Sequence, residues 1–282
     1  MPTFTDPLGK TIVLSQPPRR IISLVPSQTE LLFTLGLEQQ VAGITKFCVR
    51  PSSWSHTKTR IGGTKDVHPE RIHPLRPDLI LANKEENDRA QVEELARHYP
   101  VWVSEIKDLE DALGMIRFVG NLTARKEQAE TLATEIAHRF SELERPLPAV
   151  PIGTSPSPDA PAPVGTPPAP LTAYFIWRNP WMVAGGDTFI NDMLRRCGLA
   201  NAFQHLDRYP SIDTASLAGS NIQCVLLSSE PYPFREKHIR EIRSLLPDAA
   251  IRLVDGELFS WYGSRLLEAP AYFRQLIDNP GS

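Results

Sequence analysis

Residues 20–37 read RIISLVPSQTELLFTLGL, and this stretch decides the fold class. Apolar residues within 21–25 predict a buried strand, and a helical repeat of apolar residues follows the polar turn Pro26–Gln28. Ser27 or Thr29 is the predicted cap of that helix. A loop between a parallel strand and the next helix lies at the carboxyl edge of the sheet, where open α/β folds bind ligands. The stretch therefore predicts one wall of a ligand-binding site.

Composition and motifs exclude several classes of protein. The 282 residues are 41% hydrophobic and 22% charged, which is ordinary for a globular protein, and the net charge of -3 gives no electrostatic basis for binding nucleic acid. Neither GxGxxG nor GxxxxGK[ST] occurs, and GxSxG and HExxH are also absent. The three cysteines (Cys48, Cys197, Cys224) lack CxxC spacing, so we predict that each is a small buried residue.

The first residues, MPTFTDPLGKTIVL, lack the basic and apolar regions of a secretory signal. No run of 18 apolar residues predicts a membrane span. We therefore expect the numbered chain to be soluble, and a cytoplasmic location stays open.

The organisation along the chain predicts two α/β lobes. Strands alternate with helices, which is typical of parallel sheets; the clearest predicted strands are 79–82, 101–103, 173–177, 225–227 and 251–254. Asp108 is the predicted cap of a helix that begins near Leu109. The predicted divisions are an N-terminal lobe (1–122), a connecting helix (123–145), a Pro-rich flexible insertion (146–170) and a C-terminal lobe (171–282).

Three motifs carry a family resemblance: IGGTKDVHPERIHPLRPDLILAN (61–83), YFIWRNPWMVAGGDTFINDMLRRCGL (174–199) and LLSSEPYPFREKHI (226–239). With residues 20–37 and the long helix, they resemble the helical-backbone (class III) substrate-binding proteins of ABC importers, which bind vitamin B12, ferric siderophores or haem. The resemblance implies two Rossmann-like lobes joined by one long backbone helix, with a ligand cleft between the lobes. It further implies a periplasmic monomer that has no enzymatic activity and no cofactor.

The resemblance and the residue types together suggest the ligand contacts. Large flat ligands such as a corrinoid, haem or an iron chelate are held by aromatic faces, and guanidinium groups bind carboxylates or phosphates. The predicted ligand-binding residues are Ser27, Gln28, Trp177, Arg178, Trp181, Trp261, Tyr262 and Arg265. The alternatives are that the aromatic residues pack in the core and that the arginines form structural salt bridges.

The resemblance also implies docking to an ABC permease, because an exposed glutamate on each lobe of such proteins meets arginines of the permease. The candidates are Glu85, Glu86 and Glu230. The alternative is that these are solvated carboxylates near helix starts.

Two other functions stay open at this stage. The absence of a signal favours a cytosolic ligand-binding or sensor protein on the same scaffold. A direct metal-ion binder is the other, but the histidines are dispersed and none pairs with another ligand at helical spacing, so we predict no metal site.

Overall fold

The computed structural model describes residues 2–144, 169–218 and 220–278, so most of the predicted Pro-rich insertion lies outside the described residues. The chain divides into two compact units. The first unit is Met1–Arg139 with Glu257–Pro270, and the second is Phe140–Gly256 with Ala271–Ser282. Residues 257–270 thus pack with the first unit, although they follow the last predicted strand of the second lobe.

The first unit contains the elements up to the long helix. Its strands are β1 (Thr3–Thr5), β2 (Thr11–Val13), β3 (Ile21–Ser23), β4 (Val41–Ile44), β5 (Thr59–Arg60), β6 (Leu79–Asn83) and β7 (Val101–Ser104). Its helices are α1 (Pro26–Thr34), α2 (Ser52–Thr57), α3 (Pro69–Ile72), α4 (Arg89–Leu95), α5 (Leu109–Leu122) and the start of α6 (Lys126–Glu144), with a 3-10 turn at His73–Leu75.

A five-stranded parallel sheet forms the centre of this unit. The strand order is β5-β4-β3-β6-β7, and β1 and β2 form a separate antiparallel hairpin. In β3, Ile21 and Ile22 are fully buried, as are Ile80 and Leu81 in β6. An all-parallel sheet is covered on both faces, which explains why these strands read as continuous apolar runs.

The cap predicted for α1 is wrong. The helix begins at Pro26 with Val25 as its N-cap, and no side chain caps it. Proline suits the first helical position because its φ is already helical and its missing N–H needs no partner. The Thr29 hydroxyl bonds instead to the Val25 carbonyl oxygen at 2.9 Å.

The prediction for the two long helices is confirmed. The Asp108 carboxylate accepts the N–H of Asp111 at the start of α5. Helix α6 has 19 residues and is therefore about 28 Å long. The boundary between the units, after Arg139, falls inside this helix.

The second unit has its own sheet. Its strands are β8 (Leu171–Trp177), β9 (Trp181–Val183), β10 (Ala200–Asn201), β11 (Ser211–Ile212), β12 (Cys224–Ser228) and β13 (Ala250–Val254). The helices from here to the end of the described chain are α7 (Phe189–Arg196), α8 (Thr214–Ala218), α9 (Glu236–Leu245), α10 (Gly256–Ser260) and α11 (Ala269–Asp278), with a 3-10 turn at Ser264–Leu267.

Parallel pairing of β8, β12 and β13 confirms the α/β class for the second unit as well. The short strands β9 and β11 run antiparallel beside β8, in the order β11-β9-β8-β12-β13, and were not predicted. They are two or three residues long, which is too short for a periodic signal. None of the helices in the described residues combines the length and apolar content needed to cross a bilayer.

Candidate functional site

In the first unit, buried polar side chains collect where the parallel strands end. Gln28, in the first turn of α1, donates from Nε2 to the Oγ of Ser104 at 2.7 Å. Asn83, the last residue of β6, donates to the same oxygen at 3.0 Å. Ser104 in turn donates to the carbonyl oxygen of Ala82. This network fixes the ends of α1, β6 and β7 relative to one another.

Ser27 and Gln28 also carry polar atoms that the protein leaves without partners. Ser27 is 2% exposed and Gln28 is fully buried. Within the described part of the chain, neither the Ser27 Oγ nor the Gln28 Oε1 has a hydrogen-bond partner. Because an unsatisfied buried polar atom costs about 1–3 kcal/mol, a ligand or water that reached these atoms would gain that amount. They are the clearest polar candidates in this unit.

Residues 257–267 cover the start of α1. A Cβ at position 263 would lie 2.6 Å from the carbonyl oxygen of Ser27, so this approach requires glycine. The neighbouring Tyr262 is 6% exposed and donates its hydroxyl hydrogen to the carboxylate of Glu86. Burial, together with that carboxylate, raises the pKa of the Tyr262 phenol well above its usual value. Tyr262 is therefore a neutral donor that holds the covering segment in place.

Arg265 lies in a network of charges within the first unit. Its guanidinium pairs with Glu30 and with Glu268 (3.1 Å), and Glu257 lies 3.9 Å away. Glu257 also pairs with Arg50 at 2.6 Å. Burial raises the pKa of Glu30 even though the hydrogen bond from Arg265 lowers it. The structure shows the salt bridge that was the alternative for Arg265, and its contact with a ligand stays a prediction.

Trp261 is enclosed in the same segment. It is 6% exposed, and the Arg265 guanidinium carbon lies 5.9 Å from its ring centroid. The two aromatic residues predicted in this loop, Trp261 and Tyr262, therefore both have their rings inside the first unit.

The second unit presents an aromatic surface at the carboxyl end of its sheet. Trp177, the last residue of β8, is 39% exposed. Its ring meets that of Tyr232 edge to face, with centroids 5.6 Å apart. Tyr232 lies in the loop after β12 and also contacts Phe234 (4.8 Å) and His238 (5.3 Å). We call Trp177, Tyr232, Phe234 and His238 the aromatic cluster.

Arg178 and Trp181 flank this cluster with different exposure. Arg178 is half-buried, pairs with Glu241 at 2.8 Å and lies over the Trp181 ring, 4.4 Å from its centroid. Trp181 is 8% exposed and packs edge to face against Phe175 in the core of the second unit. Trp181 thus occupies the core position that was its alternative. Arg178 forms the salt bridge that was its alternative, and its contact with a ligand stays a prediction.

The three glutamates predicted to dock onto a permease are half-buried. The backbone N–H groups of Glu85 and Glu86 both donate to Asn83 Oδ1 in the turn after β6. Glu230 lies after β12, before a cis Pro231, and its N–H donates to Ser228 Oγ. Both loops that carry these glutamates are therefore hydrogen-bonded to the last residue of the strand before them, Asn83 or Ser228.

Throughout residues 2–144, 169–218 and 220–278, no group of three or more His, Cys, Asp or Glu side chains could hold a metal ion. Cys48 and Cys197 are buried and Cys224 is half-buried. Burial raises the pKa of all three thiols.

His238 was not among the predicted site residues, and Tyr232 was predicted only as the end of a loop, Ser228–Tyr232, at the carboxyl edge of the sheet. The only local signal was an aromatic residue in the polar loop SSEPYPF, immediately after a buried strand. The contact of Tyr232 with Trp177 joins residues more than 50 positions apart, which periodicity does not reveal.

The model of the periplasmic binding protein family matches residues 21–243. The chain belongs to this family. The match covers both units and confirms the resemblance drawn from the sequence. The family and its structural neighbours are binding proteins rather than enzymes.

Several relatives are named vitamin B12-binding proteins. The protein of Pectobacterium atrosepticum is 30% identical over 128 residues, which are 45% of this chain and 46% of the relative. The protein of Photorhabdus laumondii is 28% identical over 187 residues, 66% of this chain and 62% of the relative. The chain thus spans between about half and three fifths of the length of these relatives.

Solved structures share the whole fold at low identity. The periplasmic vitamin B12-binding protein BtuF of Vibrio cholerae has a TM-score of 0.73 at 16% identity and covers 94% of this chain and 98% of its own. The periplasmic heme-binding protein BhuT with two hemes has a TM-score of 0.74 at 20% identity, covering 94% and 100%. The siderophore-binding protein BauB with ferric acinetobactin has a TM-score of 0.74 at 15% identity, covering 97% of both chains. At these identities the likeness establishes the fold.

Proposed function

We propose that this chain is a solute-binding protein that captures a corrinoid-like or chelated-iron ligand, haem included, and delivers it to an ABC importer. Membership of the periplasmic binding protein family supports solute capture. The relatives named for vitamin B12 and the neighbours with heme or a ferric siderophore support the ligand class. The protein would act by binding alone, as a monomer, with no chemical step.

The observation that carries the ligand class is the exposed face of Trp177 in the aromatic cluster. An aromatic side chain that is 39% exposed offers about 100 Å² of apolar surface to a flat ligand. Covering that area would contribute about 2.5 kcal/mol at 25 cal/mol/Å². Arg178, half-buried beside it, is suited to an anionic group on the same ligand.

The remaining predicted contacts are at most 8% exposed: Ser27, Gln28, Trp181, Trp261, Tyr262 and Arg265. A ligand could reach them only if the residues that cover them moved aside. We propose that Ser27 and Gln28 contribute through their unpaired oxygens, since these atoms have the most to gain. The location of the ligand between the lobes stays a prediction.

Titration with ligands tests the proposal. Cyanocobalamin, cobinamide, hemin and a ferric hydroxamate are added to the full chain, and binding is followed by isothermal calorimetry, with quenching of tryptophan fluorescence as a second signal. Saturable binding of at least one of them, one ligand per chain, is the expected result. No binding of any of the four would refute the ligand class.

A pair of variants tests the role of the aromatic surface. Trp177→Ala should weaken binding by at most roughly 60-fold, the equivalent of about 2.5 kcal/mol. Leu253→Ala is the control, because Leu253 is also an apolar residue of the second unit with 39% exposure but lies on β13, outside the aromatic cluster. Equal affinities of the two variants would remove Trp177 from the site.

Delivery to an importer is tested separately with Glu85→Gln and Glu230→Gln. We propose that these carboxylates, and that of Glu86, dock onto the permease. Each variant should bind the ligand like the wild type but stimulate the ATPase of the cognate importer in vesicles less. Glu86→Gln is the less specific variant, since it also weakens the bond from Tyr262. Ligand binding without any stimulation by the wild type would favour the sensor alternative.

A further inference from the structure

The aromatic cluster contains a histidine whose proton position is fixed by the backbone. His238 is 2% exposed and lies in the first turn of α9, where the N–H of Arg235 donates to its Nδ1 at 2.9 Å. A ring nitrogen that accepts a hydrogen bond carries no proton, so the single proton of the neutral ring is on Nε2. Burial, followed by the charge of Lys237, lowers the pKa of His238 below its usual value. The ring is therefore neutral at pH 7.

This assignment also fixes the role of the Tyr232 hydroxyl. His238 Nε2 lies 3.1 Å from the Tyr232 Oη and, carrying the proton, is the donor of this bond. The phenol oxygen is then the acceptor, and its own hydrogen is left to point elsewhere. Among the residues that the structure describes, the Tyr232 hydroxyl has no second hydrogen-bond partner. The Tyr232 hydroxyl can therefore donate a hydrogen bond to a further acceptor, and we call its hydrogen the spare donor.

The spare donor lies beside the exposed tryptophan. The backbone N–H of Tyr232 approaches the carbonyl oxygen of Ile176 at 3.4 Å, next to the end of β8. The Trp177 ring is in edge-to-face contact with the Tyr232 ring, and Tyr232 is itself half-buried. One surface therefore combines an apolar face with a neutral hydrogen-bond donor.

We infer that Tyr232 donates a hydrogen bond to an oxygen acceptor on the ligand, an amide carbonyl or a carboxylate, and that His238 positions it. The inference rests on the proposed function and adds a polar contact to it. A neutral donor accommodates either acceptor, and the corrin ring carries amides whereas haem carries two carboxylates. Titrations with cyanocobalamin and with hemin distinguish the two sources.

Three variants of the full chain test the Tyr232 hydroxyl and the positioning role of His238 separately. Tyr232→Phe keeps the ring but removes the hydroxyl, and should weaken binding about 3- to 10-fold. His238→Asn keeps an oxygen near the Nδ1 position, so that the helix cap survives while the contact with Tyr232 is lost. His238→Gln extends an amide N–H toward the Nε2 position and should restore part of the affinity.

The double variant Tyr232→Phe with His238→Asn gives the readout that a purely structural role would not produce. If His238 acts through Tyr232, the double variant should bind no more weakly than Tyr232→Phe alone, and the wild type and all four variants should unfold at similar temperatures. Nitrogen-15 NMR of the free wild type should show the proton of His238 on Nε2.

Each outcome decides between the claims. If the wild type binds a ligand and Tyr232→Phe binds it with the same affinity, the donor role of Tyr232 is overturned. The proposed function would then stand. Additive losses in the double variant, or a proton on Nδ1, would overturn the positioning role of His238. If the wild type binds none of cyanocobalamin, cobinamide and hemin, the donor inference fails, and the proposed function fails too unless the ferric hydroxamate binds.

Discussion

The ion pair of Arg265 with Glu30 gives the sharpest test of the first unit. The side chains are 9% and 15% exposed, and the residues lie 235 positions apart in the sequence. The perturbation is Arg265→Met, which keeps an unbranched side chain and removes the guanidinium. Glu30 then becomes a buried carboxylate without its closest cation.

The expected loss of folding free energy follows from the ion pair that each carboxylate loses when Arg265 is replaced. Removing one partner of a buried pair costs about 3–5 kcal/mol. Glu268 is 65% exposed, so its pairing adds about 0–1 kcal/mol. Glu257 keeps Arg50 at 2.6 Å, and the charge of Arg50 also acts on Glu30, so we expect the lower end, about 3 kcal/mol.

Urea denaturation at pH 7 measures the loss. With a slope of about 2 kcal/mol per M, the midpoint of the first unit should fall by about 1.5 M. Trp54 and Trp102 are buried in this unit and report its unfolding by fluorescence. Arg89→Met is the matched control: the side chains of its pair with Glu93 are 91% and 59% exposed, so the midpoint of this variant should stay close to that of the wild type.

A second variant checks the mechanism. Replacing both partners, Glu30→Leu with Arg265→Met, removes the unpaired charge and should recover part of the lost stability. The reasoning fails if Arg265→Met is as stable as the Arg89→Met control. It also fails if the double variant loses the full sum of the two single losses, because the two residues would then act independently.

Three further predictions follow from local geometry. Gly263→Ala should destabilise the first unit by about 1–3 kcal/mol in urea denaturation, since its Cβ would lie 2.6 Å from the Ser27 carbonyl oxygen. Gly114→Ala, an open helical position, should instead stabilise by about 0.5–1 kcal/mol; the same sign for both would contradict the argument. Asp108→Ala should cost about 1 kcal/mol through loss of the cap, and a change below 0.3 kcal/mol would count against it. Because burial lowers the pKa of His238, the unfolded chain binds its proton first as the pH falls. The stability from neutral His238 is present above pH ~6.5 and is lost below it, which melting curves of wild type and His238→Gln should show as a smaller acid loss in the variant.

The sequence predicted the central parallel strands of both sheets well because their signal is local. The apolar runs at Ile21 and Leu79 mark strands buried on both faces, and strands of that kind need no partner to be recognised. Asp108 was likewise identified as a cap from its immediate neighbours. The start of α1 was misjudged because the polar residues Ser27 and Gln28 suggest a turn, whereas Pro26 begins the helix and the structure buries both polar side chains.

The candidate site was predicted less completely than the fold. Arg265 and Tyr262 were chosen as ligand contacts for their residue types, and the structure gives both of them partners in the first unit. Those partners, Glu30 and Glu86, are separated from them by 235 and 176 positions. No periodic pattern carries information over such distances.

By itself, the sequence determined the α/β class, the family and the loops at the carboxyl edge, because burial, helix periodicity and turn chemistry act over a few residues. Only the tertiary structure decided which side chains in those loops are engaged and which are exposed. Residues 257–267 pack over α1 and Arg265 is paired there with Glu30, while Trp177 is exposed in the second unit beside the half-buried Tyr232. The physical reason is that the partners and the exposure of a side chain depend on which segments, distant in the sequence, pack against it. Those contacts form only when the chain folds.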